Sequence, residues 1–169
     1  MDIELNLDTI KKNAFINEDE NWRFRSYLKG KDSDRIDEMV HDIYDYVIKH
    51  VDCSECANCC IVLDTSFEEE EFDHLCQSKD INREEFVRDH TRPKELGDED
   101  KIYLKDKPCM FLKDKKCTIY ELRPEECQSY PHIHKDGFIF RLWGVVDNYA
   151  VCPIVYNVYE MLKQRFHYR

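Results

Sequence analysis

Residues 53–60 have the sequence Cys53-Ser54-Glu55-Cys56-Ala57-Asn58-Cys59-Cys60. Four thiols in eight residues are too dense for ordinary core packing, and their spacing lets a chain wrap sulfur around a metal. Four more cysteines follow downstream, namely Cys109, Cys117, Cys127 and Cys152. We therefore predict that these eight cysteines are metal ligands. The ninth cysteine, Cys76, lies in a predicted helix and is expected to be a buried, small apolar residue.

Composition limits the classes of partner. The chain has 169 residues, 42% hydrophobic residues and a net charge of -11. This length is enough for a compact domain with its own core. Because an acidic surface repels phosphate backbones and anionic lipids, we expect neither nucleic acid nor a membrane as partner. A protein partner or a redox partner is expected instead, without an identity.

From the sequence as written, we expect no signal for export or for membrane insertion. Its first residues lack a basic region followed by an apolar core, and no run reaches the ~18 apolar residues of a membrane helix. We therefore expect a cytoplasmic protein, whose cysteines serve metal binding or redox chemistry rather than disulfides. A secreted disulfide scaffold is the alternative, and it would need an oxidising compartment.

The eight cysteines divide most simply into two neighbouring sites. Cys59 and Cys60 are adjacent in sequence, and adjacent side chains usually diverge, which makes the two sulfurs awkward ligands for one ion. On spacing alone, the two predicted sets are Cys53, Cys56, Cys59 and Cys152, and Cys60, Cys109, Cys117 and Cys127. The alternative is one site with four or five ligands and the other thiols buried.

Spacing also bears on the identity of the metal. Three cysteines in successive Cys-x-x-Cys steps suit three corners of a 4Fe–4S cluster, and Cys152 is followed by Pro153, as in the ferredoxin run. A cluster of this kind predicts a redox or electron-transfer role. Zinc is the alternative, as the centre of a structural or interaction domain, because thiolates suit both metals. A redox dithiol or another ion is a further possibility.

Arg123 lies between two predicted ligands in sequence, and we predict that it contributes to cofactor binding by neutralising thiolate charge from behind the ligands. The alternative is a surface ion pair with Glu121 or Glu125. His132 and His134 would share one face of a strand and are weaker candidates for ligands, since eight sulfurs already suffice.

Local patterns predict an α+β fold of several helices and short strands arranged around the cysteines. Apolar residues recur at helical spacing from Ile36 to Val51, and Ser33 or Asp34 would cap this helix. Ser66–Glu69 fits a capping box that opens a helix through about Leu75, with the acidic run at residues 68–71 on a solvated face. Other predicted elements are a helix capped by Asn82, a charged loop at residues 91–100 with Pro93 and Gly97, a strand at residues 101–105, a turn at residues 113–116, a short helix with Pro124 in its first position, an Asp136-Gly137 hairpin and a helix after Pro153.

From Cys53 to Cys152 the chain resembles the YkgJ-type cysteine-cluster (CxxCxxCC) family, which is described as a zinc- or iron-chelating domain. Besides the residues quoted above, the resemblance rests on Pro108-Cys109-Met110-Phe111-Leu112, on Cys117-Thr118-Ile119-Tyr120-Glu121-Leu122-Arg123-Pro124-Glu125-Glu126-Cys127 and on Tyr130-Pro131. It implies a chelating site in which these eight cysteines carry over one for one.

A likeness to the cysteine-rich part of flagellin lysine N-methylases raises methyl transfer to protein side chains as a second alternative. No glycine-rich loop after a strand supports that reading, so it rests on analogy. The predicted domains are residues 1–50, an N-terminal arm with an amphipathic helix, and residues 51–169, a cysteine-cluster domain with a C-terminal helix.

Overall fold

The computed structural model describes residues 2–94 and 100–168. Helix accounts for 60% of the structure, and two small antiparallel strand pairs complete the regular elements, so the predicted α+β class is confirmed. The helices are α1 (Leu7–Ile16), α2 (Glu18–Leu28), α3 (Ser33–Val47), α4 (Cys53–Cys56), α5 (Asn58–Val62), α6 (Glu69–Lys79), α7 (Arg83–His90), α8 (Glu125–Ser129), α9 (Leu142–Asn148) and α10 (Pro153–Arg165). The strands are β1 (Ser66–Glu68), β2 (Lys101–Tyr103), β3 (Leu112–Lys113) and β4 (Lys116–Cys117).

The chain forms two compact units. Unit 1 comprises Met1–Asp52 and Pro131–Arg169, and unit 2 comprises Cys53–Tyr130. Seven of the eight predicted ligands lie in unit 2, whereas Cys152 lies in unit 1, directly before α10. The predicted division at residue 50 placed the C-terminal helix with the cysteines, and that assignment of domains stays a prediction.

Unit 1 is built on α3 and α10, which pack together. Ile36, Val40, Ile43 and Val47 of the predicted stripe are buried, whereas Val51 lies beyond the end of α3. Asp32 caps the start of α3 by accepting the backbone N–H of Arg35, so the predicted caps Ser33 and Asp34 were wrong by one or two positions. A 3₁₀ turn at Ile48–His50 follows α3. The predicted helix after Pro153 is confirmed as α10.

The N-terminal residues are held to α10 by one buried amide. Asn157 is fully buried, and its side chain accepts the backbone N–H of Glu4 at 2.9 Å and donates to the Glu4 carbonyl at 2.8 Å. Further along the arm, Phe24 packs on Tyr159 with ring centroids 5.2 Å apart. Residues 2–28 are therefore a docked part of unit 1.

The predicted hairpin at Asp136-Gly137 is wrong, because the residues after the turn form a 3₁₀ turn, Phe138–Phe140. Their backbone is bound by α3 instead of by a second strand. The buried carboxylate of Asp37 accepts the N–H of Gly137 at 2.6 Å and that of Phe138 at 2.9 Å.

Replacing Asp37 with alanine is expected to destabilise the protein by about 2 kcal/mol, because two backbone N–H groups would lose their acceptor in a largely buried setting. Chemical denaturation measures the change. Glu38→Ala is the control, since Glu38 is an exposed neighbour on α3 and its loss should cost less than about 0.5 kcal/mol. Equal effects of the two substitutions would contradict the role assigned to Asp37.

Unit 2 has a separate apolar core beneath the cysteines. It is formed by Phe67, Phe72, Leu75, Cys76, Phe86, Ile102, Leu104, Phe111 and Ile119. Cys76 is buried among these residues, as its sequence context predicted. Strands β1 and β2 pair antiparallel across this core, with Phe67 opposite Ile102. Cys109 and Cys117 are partly buried and pack against this core, which therefore contacts the cysteine loops.

The helix predicted with Ser66 as its N-cap begins two residues later than expected, because the N-cap is Glu68. Ser66–Glu68 is β1, and the carboxylate of Glu71 accepts the N–H of Glu68, which defines α6 from Glu69. The Asn82 cap of α7 is confirmed, and the strand predicted at residues 101–105 is present but shorter, as Lys101–Tyr103. Thr91, at the start of the predicted charged loop, bridges to Leu104, whereas Gly97 lies outside the described residues.

Candidate metal centre

The cysteine motif folds as two short helices joined by a left-handed residue. Helix α4 places Cys53 and Cys56 one turn apart, and Ala57 (φ 50°) turns the chain into α5, which carries Cys59 and Cys60. Residues three apart on a helix share a face, so the sulfurs of the first pair lie on one side of α4. Cys53 is exposed, and the other three are half-buried.

The sequence suggested that the sulfurs of Cys59 and Cys60 diverge, and the structure shows that they do not. Their Sγ atoms are 4.0 Å apart, because the two side chains turn toward each other in a thiol–thiol contact. Two thiolates bound at ~2.3 Å to one tetrahedral zinc would be ~3.8 Å apart. The directions of these two side chains therefore no longer argue for two separate sets of ligands. If Cys59 and Cys60 bind different metals, the two metal sites would be direct neighbours.

Three short segments of unit 2 carry Cys109, Cys117 and Cys127. The N–H of Cys109 donates to the carbonyl of Cys60 at 2.8 Å, which joins the two loops. The β3–β4 hairpin carries Cys117, and its turn residues Asp114 and Lys115 both have positive φ (49° and 62°), as a type I′ turn requires. The turn predicted at residues 113–116 is thus confirmed. Cys127 is the third residue of α8, which Pro124 precedes as the N-cap rather than as the first helical residue.

The pKa values of Cys117 and Cys127 depend on the charges of Cys60 and Cys109. Negative charge at Cys60 and Cys109 raises the pKa of both Cys117 and Cys127, and burial is the larger cause in each case. Burial raises the pKa of Cys127 to about 12. The thiols of the second predicted set therefore lie within interaction range of one another in unit 2.

The pKa of Cys60 moves in the opposite direction. A hydrogen bond from Cys59 lowers the pKa of Cys60 to about 6, and the positive charge of Arg123 adds to this while burial opposes it. A thiolate at Cys60 is the form that binds metal, so this residue is suited to make the first metal–sulfur bond.

Alkylation of the metal-free protein is expected to reach the Cys59–Cys60 pair before Cys127. At pH 7 a thiol with a pKa near 6 is mostly thiolate, whereas one with a pKa near 12 is protonated, and only the thiolate reacts. The rate at the pair should fall as the pH drops through 6. Iodoacetamide labelling followed by peptide mass spectrometry measures both; faster labelling of Cys127 at pH 7 would contradict this order.

Arg123 lies beside this set. Its guanidinium stands 3.7 Å above the ring of Tyr120, and its Nε donates to the Tyr120 carbonyl at 3.0 Å. Its positive charge contributes to the lowered pKa of Cys60, and it partly offsets the burial that raises the pKa of Cys117 and Cys127. These contacts support the predicted role of Arg123 in balancing thiolate charge, which stays a prediction.

Sequence reasoning missed Glu71 and misjudged the histidines. The acidic run at residues 68–71 suggested a solvated face, yet the Glu71 carboxylate also accepts the N–H of Glu125 at the start of α8. Only the capping spacing of Glu68 and Glu71 hinted at a structural role. His132 and His134 lie in unit 1 and not on a strand; His132 has φ 60°.

Within residues 2–94 and 100–168, no three His, Cys, Asp or Glu side chains are positioned to hold one ion together. The donor type still fits zinc or an iron–sulfur cluster, since half-buried thiols with a neighbouring guanidinium suit both. Binding would require these thiols to coordinate as thiolates and to move closer together, and the positive charge of the metal would offset the repulsion between the thiolates.

Residues 52–152 match the CxxCxxCC family, described as "Putative zinc- or iron-chelating domain". The chain belongs to this family. The match covers more than half of the chain and includes all eight predicted ligands, so it supports the predicted metal binding and names zinc and iron alike. No curated protein and no solved structure matches the chain. In the part of the chain that the structure describes, no helix is long and apolar enough to cross a membrane.

Proposed function

We propose that this CxxCxxCC protein holds a 4Fe–4S cluster in its cysteine region and uses it for electron transfer. The observation that carries the ligand assignment is geometric: the N–H of Cys109 donates to the carbonyl of Cys60 at 2.8 Å, and Cys109 and Cys117 pack against the same apolar core of unit 2. The pKa of Cys127, which burial raises and the negative charges of Cys60, Cys109 and Cys117 raise further, agrees with this grouping. The consecutive Cys-x-x-Cys steps formed by Cys53, Cys56 and Cys59 belong to the other predicted set, and they favour iron–sulfur over zinc for the cysteine region as a whole. When bound, such a cluster accepts and returns single electrons.

The protein's own residues would set the charge of this centre. Four thiolates in a half-buried site carry a large negative charge, whose desolvation is costly unless a cation is near. Arg123 supplies that cation and is held in place by the Tyr120 ring and carbonyl. Before metal binds, the contact between the Cys59 and Cys60 sulfurs stabilises the thiolate form of Cys60.

A structural zinc site is the second candidate, and one observation favours it. Cys109 and Cys117 pack against the apolar core of unit 2, so a metal that binds them would fasten the cysteine loops over that core. Closed four-thiolate zinc sites contribute folding energy in this way.

Metal analysis and an absorption spectrum of protein purified without oxygen distinguish the candidates. The iron–sulfur proposal expects broad absorption near 400 nm, about four iron and four sulfide per cluster, and bleaching by a reductant. Colourless protein with about one or two zinc per chain would instead establish the structural candidate. Protein without either metal would overturn both.

Single Cys→Ser substitutions at positions 60, 109, 117 and 127 test the ligand set. Each should release the same metal, because removing one thiolate opens the same centre. Cys76→Ala is the matched control: Cys76 is a buried cysteine of the same unit that belongs to neither predicted set, and this variant should retain all of the metal. Full metal content in all four serine variants would refute the assignment.

A further inference from the structure

The carboxylate of Glu71 joins two helices of unit 2. One oxygen, Oε2, accepts the N–H of Glu68, directly before α6, at 2.9 Å. The other, Oε1, accepts the N–H of Glu125, the first residue of α8, at 2.8 Å. One side chain thus accepts a backbone N–H at the start of each helix, and Glu71 and Glu125 are 54 positions apart in sequence.

Helix α8 depends on an acceptor from elsewhere. Its N-cap residue is Pro124, which has no side-chain oxygen with which to cap the first turn. The helix is only five residues long, and Cys127 is its third residue. The direction in which the first turn points therefore decides where the Cys127 sulfur lies.

Helix α6 provides a fixed base for this contact. Phe72, Leu75 and Cys76 are buried in the core of unit 2, so the backbone of α6 is held firmly by apolar packing. Lys101 of β2 adds a second link between the same regions, with its Nζ 3.6 Å from Glu68 and 4.0 Å from Glu126.

We propose that Glu71 is a positioning residue for the metal centre: it fixes the start of α8 on α6, so that Cys127 faces the other thiols before metal binds. Glu71 itself does not touch the metal. This inference rests on the proposed role of Cys127 as a ligand. Because coupling is reciprocal, metal bound at Cys127 also stabilises the contact between α8 and α6.

Two substitutions remove the contact from opposite sides. Glu71→Ala removes the acceptor for both helices. Glu125→Pro removes only the donor N–H on α8, and proline suits this position because it is the first residue of the helix and Pro124 before it is extended (φ -61°, ψ 152°). Glu70→Ala is the control for α6, and Glu125→Ala is the control for loss of the Glu125 side chain.

The test measures binding of Zn²⁺ alone, in competition with a chromophoric chelator, because thiolates bind zinc whichever metal is native. Loss of a helix-capping contact predicts about tenfold weaker binding in Glu71→Ala and in Glu125→Pro, with no further loss when the two are combined. The two control variants should bind as the wild type does.

Denaturation of the metal-free proteins separates positioning from general stability. Glu71→Ala should be less stable than the wild type, whereas Glu125→Pro, which keeps the cap of α6, should match Glu125→Ala. Weak binding in Glu71→Ala with normal binding in Glu125→Pro would reduce the role of Glu71 to stability and overturn the inference. Normal binding in both would overturn it as well. Failure of the wild type to bind Zn²⁺ would instead refute the proposed ligand set.

Discussion

Removal of the metal is expected to lower the free energy of unfolding of residues 53–130 by at least about 4 kcal/mol. The reference is protein in which the free metal concentration is roughly a thousand times the dissociation constant of the site. The physical reason is that the cysteine loops, α5, β3–β4 and α8 are short elements, which have few backbone hydrogen bonds of their own. Thiolate–metal bonds would hold these elements together. Hydrogen exchange with and without a chelator measures the change segment by segment.

Unit 1 provides the internal control for this experiment. Helices α3 and α10 pack around the apolar core of unit 1, which contains Phe24, Tyr149 and Tyr159. The protection of these helices from hydrogen exchange should change little when metal is removed. A uniform loss of protection in both units, or no loss at residues 53–130, would contradict the prediction.

Substitution of Lys163 by methionine is expected to destabilise unit 1 by roughly 3 kcal/mol. Lys163 is only 3% exposed, and its ammonium binds the carboxylates of Glu20 at 2.9 Å and Glu160 at 2.8 Å. The Glu160 carboxylate also accepts the hydroxyl of Tyr149 at 2.6 Å. Methionine keeps most of the volume but leaves two poorly solvated carboxylates without a cation, and the loss should lower the Tm by about 10 °C.

Arg165→Met is the matched control for Lys163→Met. Arg165 lies on the same helix, and its contact with Asp42, at 3.6 Å, is exposed. Exposed ion pairs contribute about 0–1 kcal/mol, so the control should unfold close to the wild-type temperature. Thermal unfolding followed by circular dichroism compares the two; equal shifts in Tm would show that burial of Lys163 has no special weight.

Patterns that depend on neighbouring residues were readable from the sequence. The stripe of α3, the cap of α7 at Asn82 and the turn in the β3–β4 hairpin follow from local spacing and turn chemistry, and the structure confirms them. The eight family cysteines were likewise identified by spacing, and the family match supports their metal-binding character. These features could be predicted because their physical causes lie within a few residues.

Features that depend on distant partners were not readable. The Asp136-Gly137 hairpin failed because the Asp37 carboxylate, a hundred residues earlier, binds the two backbone N–H groups that a strand would have used. A charged residue in a helix normally faces water, so nothing local marks Lys163 as buried between Glu20 and Glu160.

The sequence by itself determined that this is an α+β protein of the CxxCxxCC family with thiol donors for zinc or iron, since donor type and spacing are local properties of the chain. Tertiary structure alone decided which donors interact. It turned the Cys59 and Cys60 sulfurs toward each other, gave Cys60 and Cys127 opposite pKa shifts and placed the carboxylate of Glu71 at the start of α8. Distances and charges between residues far apart in sequence exist only once the chain has folded, and they set the chemistry of these thiols.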